Sequence, residues 1–275
     1  MLSLSVAACG APPPPPPAHD PALRSLPMWF YPAADTTIPP RAVVFFFGND
    51  VGFWEPHQEL AWALSGQQIA VAGLDMRQLL RQLPEDEVTR ERAFVDEILL
   101  LIARSRHELH GDSIPLIIAG HSLGAEVAVW TAAFAHPPGT IGVLALSPGS
   151  RSHLRVSLGD LAMSAEPVGA GSFSVAAAVA HLPSGERLAI VRGERDKFSF
   201  ADSCLLAAGG ARAHRYLVRF GNHSLREILI ARPTVRRAVD WVLERRPPIS
   251  GSTTATGSKE STTSRSVARW DRTQR

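Results

Sequence analysis

The stretch Ile114-Pro115-Leu116-Ile117-Ile118-Ala119 carries no polar side chain and runs straight into Gly120-His121-Ser122-Leu123-Gly124. A run so short and so apolar suits a strand covered on both faces, which requires a layered architecture with helices packed on each side of a sheet. Residues 125–135 then read as a helix, so the five residues between make a sharp strand-to-helix turn that exposes the Ser122 hydroxyl as a candidate nucleophile. Such a turn leaves no space for side chains beside its central residue, which gives Gly120 and Gly124 a steric role. In a chain with 21 glycines the five-residue pattern alone is weak, and the flanking strand and helix give it weight.

Apolar runs and helical periodicity alternate along the rest of the chain. Residues 28–31, 43–47 and 68–73 read as strands, and residues 56–65 as a helix with Pro56 suited to its first turn. Residues 84–108 form the clearest helix, with Val88, Val95, Ile98, Leu99 and Ile102 at helical spacing and Glu85-Asp86-Glu87 at the positive end of its dipole. Strands follow at 141–146, 188–191 and 216–220, and residues 233–244 make a closing helix. This alternation predicts an α/β fold: a mostly parallel central sheet, helices on both faces, and functional loops at the carboxyl ends of the strands. Residues 147–186, rich in Gly, Ser and Ala, are an excursion with a short helix over 175–182. They are expected to cap the site and hold substrate choice.

A serine hydroxyl is a poor nucleophile near neutral pH, so it needs a base within hydrogen-bond reach and a group that orients the base. The strand Leu188-Ala189-Ile190-Val191 runs out to Asp196, and the strand Tyr216-Leu217-Val218-Arg219-Phe220 runs out to His223. Ser122, Asp196 and His223 therefore occur in the order that a nucleophile on a strand-to-helix turn requires. Glu194 and Asp202 are the competing acids; Asp196 lies nearest the strand end with room to turn back. The oxyanion of an acyl transfer needs two backbone donors. One is the amide of Leu123, and the other falls in Gly48-Asn49-Asp50, assigned to Asn49 with Asp50 as the neighbouring alternative. Phe53, Trp54, Arg77 and Arg151 are candidates for the pocket mouth.

Several local motifs then coincide. Gly48-Asn49-Asp50 precedes Gly52-Phe53-Trp54; Ala72-Gly73-Leu74-Asp75 precedes Arg77; Glu126 follows the Ser122 turn; Leu146-Ser147-Pro148 ends a strand; and Asp202-Ser203-Cys204 follows the acid loop. With these motifs, over roughly residues 43–244, the chain resembles an α/β hydrolase, and more narrowly the bacterial virulence-protein (VirJ-type) hydrolases of the periplasm. The resemblance implies an α/β-hydrolase fold and hydrolysis of an aminoacylated phospholipid, lysyl-phosphatidylglycerol, at the periplasmic side of a membrane. A lysyl group calls for a carboxylate to meet its ammonium, and Asp50, Glu55 and Glu126 are the candidates. The competing reading is a periplasmic binding or assembly factor that keeps the fold without catalysis.

Composition and the chain ends set the remaining expectations. Val6-Ala7-Ala8-Cys9 resembles a bacterial lipoprotein processing site, with Cys9 the lipidated residue. The segment before it is short and holds no Lys or Arg, which points to a true start upstream of Met1. Pro12 to Pro17 would be an extended spacer, so residues 1–26 read as a signal remnant and linker, 27–247 as the hydrolase domain, and 248–275 as a disordered basic tail. Lys259, Arg265, Arg269, Arg272 and Arg275 against Glu260 and Asp271 give that tail a net charge of +3 in a chain of +2, which leaves the rest at −1, so the body offers no case for nucleic-acid binding. No stretch is long and apolar enough to span a bilayer, and membrane contact is expected through a lipid anchor. Cys204 is expected to be a buried apolar residue of a helix. Neither zinc spacing nor a phosphate or dinucleotide fingerprint occurs, so no metal and no cofactor is expected.

Overall fold

Strands built on apolar runs can be covered on both faces, and the middle of the sheet is made of them. The computed structural model describes residues 14–157, 159–160, 166–224 and 228–244. A short α1 (Pro21–Arg24) leads to β1 (Met28–Tyr31), β2 (Ala42–Phe47), α2 (Glu55–Ser65), β3 (Ile69–Leu74), α3 (Met76–Gln82), α4 (Glu87–Glu108) and β4 (Leu116–His121). There follow α5 (Leu123–Trp130), β5 (Thr140–Leu146), the short strands β6 (Arg151–His153) and β7 (Ser172–Ser174), and α6 (Val175–Ala180). The chain continues with β8 (Arg187–Gly193), α7 (Ala201–Gly209), β9 (Ala213–Val218) and α8 (Ile228–Leu243).

Seven strands form one sheet in the order β1-β3-β2-β4-β5-β8-β9. All neighbours are parallel except β1, which runs antiparallel to β3 at the edge. Alternate residues of each strand face opposite sides. Val43, Phe45 and Phe47 of β2 join Phe94, Ile98 and Ile102 of α4 in one apolar layer. Val44 and Phe46 join Leu60 and Leu64 of α2 and Val235 and Val239 of α8 in the other. Complete burial of such a side chain is worth about 1.5–3 kcal/mol, so both faces of the sheet must be covered for the strands to persist.

The expected α/β class, parallel sheet and two helical layers are all present. Boundaries moved where local chemistry overrode periodicity. The helix expected over residues 84–108 begins at Glu87, because the Asp86 carboxylate caps it by accepting from the Thr89 amide. A separate α3, capped by Asp75, was not anticipated: seven residues give little periodicity to read. The closing helix begins at Ile228 with Pro233 inside it, although proline favours a helix start. Cys204 is exposed on α7, not buried as expected, because that helix buries Ala201, Asp202 and Leu205 instead. Cys9 and the 248–275 tail lie outside the described residues. Among the described residues no helix is long and apolar enough to cross a membrane.

Candidate active site

The turn between β4 and α5 places Ser122 at φ 53° and ψ −124°, a left-handed conformation that costs a non-glycine residue about 1–3 kcal/mol. It is held there by its neighbours. The Ser122 amide donates to the Leu146 carbonyl at the end of β5, and the Ser122 carbonyl accepts from Ala125. The steric role expected of the two glycines is visible: a Cβ on Gly120 would lie 2.0 Å from the Gly124 oxygen, and one on Gly124 would lie 2.1 Å from the Gly48 oxygen.

The His223 imidazole meets Ser122, with Nε2 2.9 Å from Oγ. Its Nδ1 lies 3.1 and 3.2 Å from the two carboxylate oxygens of Asp196. Three residues separated widely in sequence thus form one hydrogen-bonded line at the carboxyl rim of the sheet. The loops after β8 and β9 are joined by backbone bonds from Glu194 to Val218 and from Arg195 to Gly221, which fixes the acid relative to the imidazole. The Phe198 ring meets the His223 ring at 5.0 Å between centroids, tilted by 58°.

Asp196 is buried, which by itself would push its carboxyl up. Hydrogen bonds and charge from His223 and Arg192 outweigh that burial and hold it well below the usual carboxylate range. Arg192 went unnoticed in the sequence. Its side chain is fully buried at the end of β8 and donates to Asp196, to Asp202 and to the Pro148 carbonyl. The one available signal was a charged residue closing an otherwise apolar strand, since a buried guanidinium must find acceptors. Asp202, the competing acid, is the second carboxylate on that guanidinium, while Glu194 accepts from the Phe220 amide.

The two expected oxyanion donors fare differently. The Leu123 amide opens α5, where helix geometry leaves it without an intrahelical acceptor and the helix dipole favours negative charge. The Asn49 amide instead donates to the Gly52 carbonyl at 3.1 Å, closing a tight bridge that withdraws it from the site. The alternative, Asp50, lines the cleft beside Ser122, but its amide is engaged by its own carboxylate.

This cleft is rich in carboxylates: Asp50, Glu126, Asp160 and Glu166 line it, with Arg151. Glu126 is committed elsewhere, because its Oε1 accepts from the Gly149 amide at 2.7 Å and burial pushes its carboxyl up to about 8. Asp160 accepts from His153 and Ser157, and Glu166 from Ser150. Asp50 is buried, and that burial pushes its carboxyl up; the hydrogen bond it makes is to its own backbone. Glu55 is exposed at the start of α2, away from the cleft lining. Arg77 is also absent from the lining, since its guanidinium grips Asp75 beneath Gly52 at 2.7 and 3.0 Å. Trp54 and Phe53 pack around His57 instead. Among the described residues no cluster of His, Cys, Asp and Glu has an arrangement that would hold a metal ion.

Comparison with known proteins leaves the sequence isolated and the fold well populated. No family model matches the chain, and no curated protein matches it. The fold is that of α/β hydrolases of known structure. It is similar to an esterase domain from Rhodothermus marinus, with 15% identity, 79% of this chain and 92% of that chain covered, and a TM-score of 0.55. It is also similar to a putative dienelactone hydrolase from Klebsiella pneumoniae, at 14% identity, 80% and 93% coverage and a TM-score of 0.56. A monoglyceride lipase from Saccharomyces cerevisiae aligns at 13% identity over 78% of this chain and 90% of its own, with a TM-score of 0.56. The chain therefore has the α/β-hydrolase fold.

Proposed function

We propose that this chain is a serine hydrolase that cleaves carboxylic esters through a covalent acyl-enzyme. The observation that carries this reading is the unbroken line from the Ser122 hydroxyl through His223 to the buried Asp196 carboxylate. With Nδ1 donating its proton to Asp196, Nε2 is bare and takes the Ser122 proton as Oγ attacks the ester carbonyl. The oxyanion so formed is stabilised by the Leu123 amide at the start of α5. Collapse of the tetrahedral species expels the alcohol, which receives the proton from His223; a water activated by the same imidazole then releases the acid.

The narrower substrate reading is an aminoacyl ester of a phospholipid, of which lysyl-phosphatidylglycerol is the type. Support comes from the motifs shared with VirJ-type hydrolases and from the carboxylates around the cleft. Asp50 is the residue best suited to meet an ammonium group, being buried in the cleft lining beside Ser122. Exposed Phe200 and Phe220, the latter flanked by Arg195 and Arg219, lie on the loops next to Asp196 and His223 and suit contact with an anionic lipid surface. A periplasmic location with Cys9 as a lipid anchor belongs to the same proposal, and mass spectrometry of the chain from a bacterial membrane fraction would find Cys9 acylated.

A serine-directed fluorophosphonate tests the central reading. The chain is expected to be labelled at Ser122, and Ser122→Ala to lose both labelling and ester turnover while unfolding at the same temperature. A folded, unlabelled parent chain would support the non-catalytic binding factor instead. For the substrate, Asp50→Asn is expected to raise KM for a lysyl ester and leave a neutral ester of the same alcohol unaffected.

A further inference from the structure

Two histidines outside the Ser122, His223, Asp196 line are tied to it. His57 sits in the first turn of α2 and His121 closes β4, and they are 3% and 2% exposed. His57 Nε2 is 2.9 Å from His121 Nδ1, and His121 Nε2 is 2.8 Å from the backbone oxygen of His223. At the far end the Trp54 amide reaches His57 Nδ1 at 3.3 Å.

Chemistry fixes the direction of every bond in this chain. A carbonyl oxygen only accepts, so His121 carries its proton on Nε2 and, as a neutral ring, leaves Nδ1 bare. The bare Nδ1 needs a donor, which places the proton of His57 on Nε2 and leaves the His57 Nδ1 to accept from the Trp54 amide, beside the Gly52 carbonyl. Each proton then points toward His223, and no ring nitrogen is unsatisfied. Burial pushes His121 down to about 4 and, with the adjacent His121, holds His57 well below the ordinary range, so both rings stay neutral near neutral pH. A proton added to either would set two N–H groups face to face.

We propose that His57 and His121 form a relay of positioning residues that fixes the backbone of His223, and so the reach of its imidazole to Ser122. The proposal rests on the serine-hydrolase reading above. Consecutive residues of the β4 turn hold the same histidine at two points: Ser122 meets its ring and His121 its carbonyl. The base loop is thereby tied to the segment after β2, because Trp54 follows the Gly48 to Gly52 turn, whose Asp50 lines the cleft beside Ser122. Imidazole suits this task, since a rigid ring spans the gap with two rotatable bonds. Phe46, Phe53 and Trp54 surround His57, and both rings border a small recess lined by Pro56, Leu60 and Leu146. Mutual satisfaction of two buried histidines would explain the bond between them, but not its continuation to the carbonyl of the one imidazole that touches Ser122.

Three variants and one spectrum test the relay. His121→Phe keeps a ring and removes the donor; it is expected to lower kcat for a neutral ester about 10²-fold with KM unchanged, and to slow fluorophosphonate labelling of Ser122 in proportion. His121→Gln places an amide N–H near the former Nε2 and is expected to recover most of that loss. His57→Phe is expected to fall between the two, because His121 keeps its donor and loses its orientation. Nitrogen-15 spectra of the full parent chain are expected to show Nδ1 bare and Nε2 protonated on both rings. Parent-like kcat in His121→Phe, or a Gln variant as slow as the Phe variant, would overturn the relay, as would the opposite tautomer on His121. An unlabelled parent chain removes the hydrolase reading by itself, whereas the tautomer spectrum decides the relay without any turnover.

Discussion

At the scale of single residues, what could be read in advance was the chemistry at loop positions, and what could not was the support beneath it. Ser122, Asp196 and His223 stood out because strand ends carry functional groups and because their order was constrained. Arg192 and the two relay histidines gave no comparable sign, since a buried polar residue is recognisable only once its partners are known. Arg192 tests that distinction. Its guanidinium bonds both Asp196 and Asp202, and all three side chains are 0% exposed, so Arg192→Met would take the shared cation from two buried carboxylates and leave Asp202 only Arg215, at 3.5 Å. Breaking such a cluster costs about 3–5 kcal/mol, and urea unfolding should show a loss of that order. A stability within experimental error of the parent would mean that water reaches the cluster. Activity separates the two acids further. Asp196→Asn takes away the group that sets the His223 tautomer and is expected to lower kcat by about 10⁴-fold, whereas Asp202→Asn should act chiefly on stability.

Elements were legible in proportion to how far their burial repeats. β2, β4 and β8 announced themselves as apolar runs because both faces are covered, and β6 and β7 did not, at three residues each with polar ends. The helix α5 shows why the Ser122 turn tolerates so little change. Every residue from Leu123 to Trp130 is buried, and Gly124 abuts the Gly48 carbonyl, so Gly124→Ala should misplace the turn. The expected result is a chain that is either insoluble or unlabelled by fluorophosphonate; full labelling would contradict the close approach. Glu126, also on α5, ties this helix to the Gly149 turn after β5. Burial raises its carboxyl from about 4.5 to about 8, so the folded chain holds a proton that the unfolded chain has released between those values. Its contribution to stability therefore falls as pH rises through that window. Glu126→Gln, neutral at every pH, should flatten the decline of the unfolding midpoint from pH 5 to 8. Part of the slope would remain, because Glu186 is also pushed up to about 8 by burial. An unchanged slope would show that Glu126 is ionised in the fold.

For the whole molecule, a sheet of seven strands brings every element of the candidate site to one rim, and this convergence is what the alternation of strands and helices foretold. The character of the cleft was hidden for the same reason that the rim was not. Asp50 is far along the chain from Asp160 and Glu166, and their meeting depends on how the excursion between β5 and β8 lies over the site. Sequence located that excursion without revealing its β6–β7 hairpin or the carboxylates it contributes. Its part in substrate choice can be separated from its part in the reaction. Ser122, Leu123, Asp196 and His223 come from the framework loops, while Asp160 and Glu166 come from the excursion, so replacing residues 156–169 with a short Gly-Ser linker removes one set and spares the other. The shortened chain is expected to keep fluorophosphonate labelling at Ser122 and to turn over small neutral esters. Its kcat/KM for a lysyl ester relative to a neutral ester should fall, since Asp50 alone would remain to meet the ammonium. A ratio equal to the parent's would assign recognition of the acyl group to the framework loops, and loss of labelling would show that the excursion holds the Ser122 turn in place.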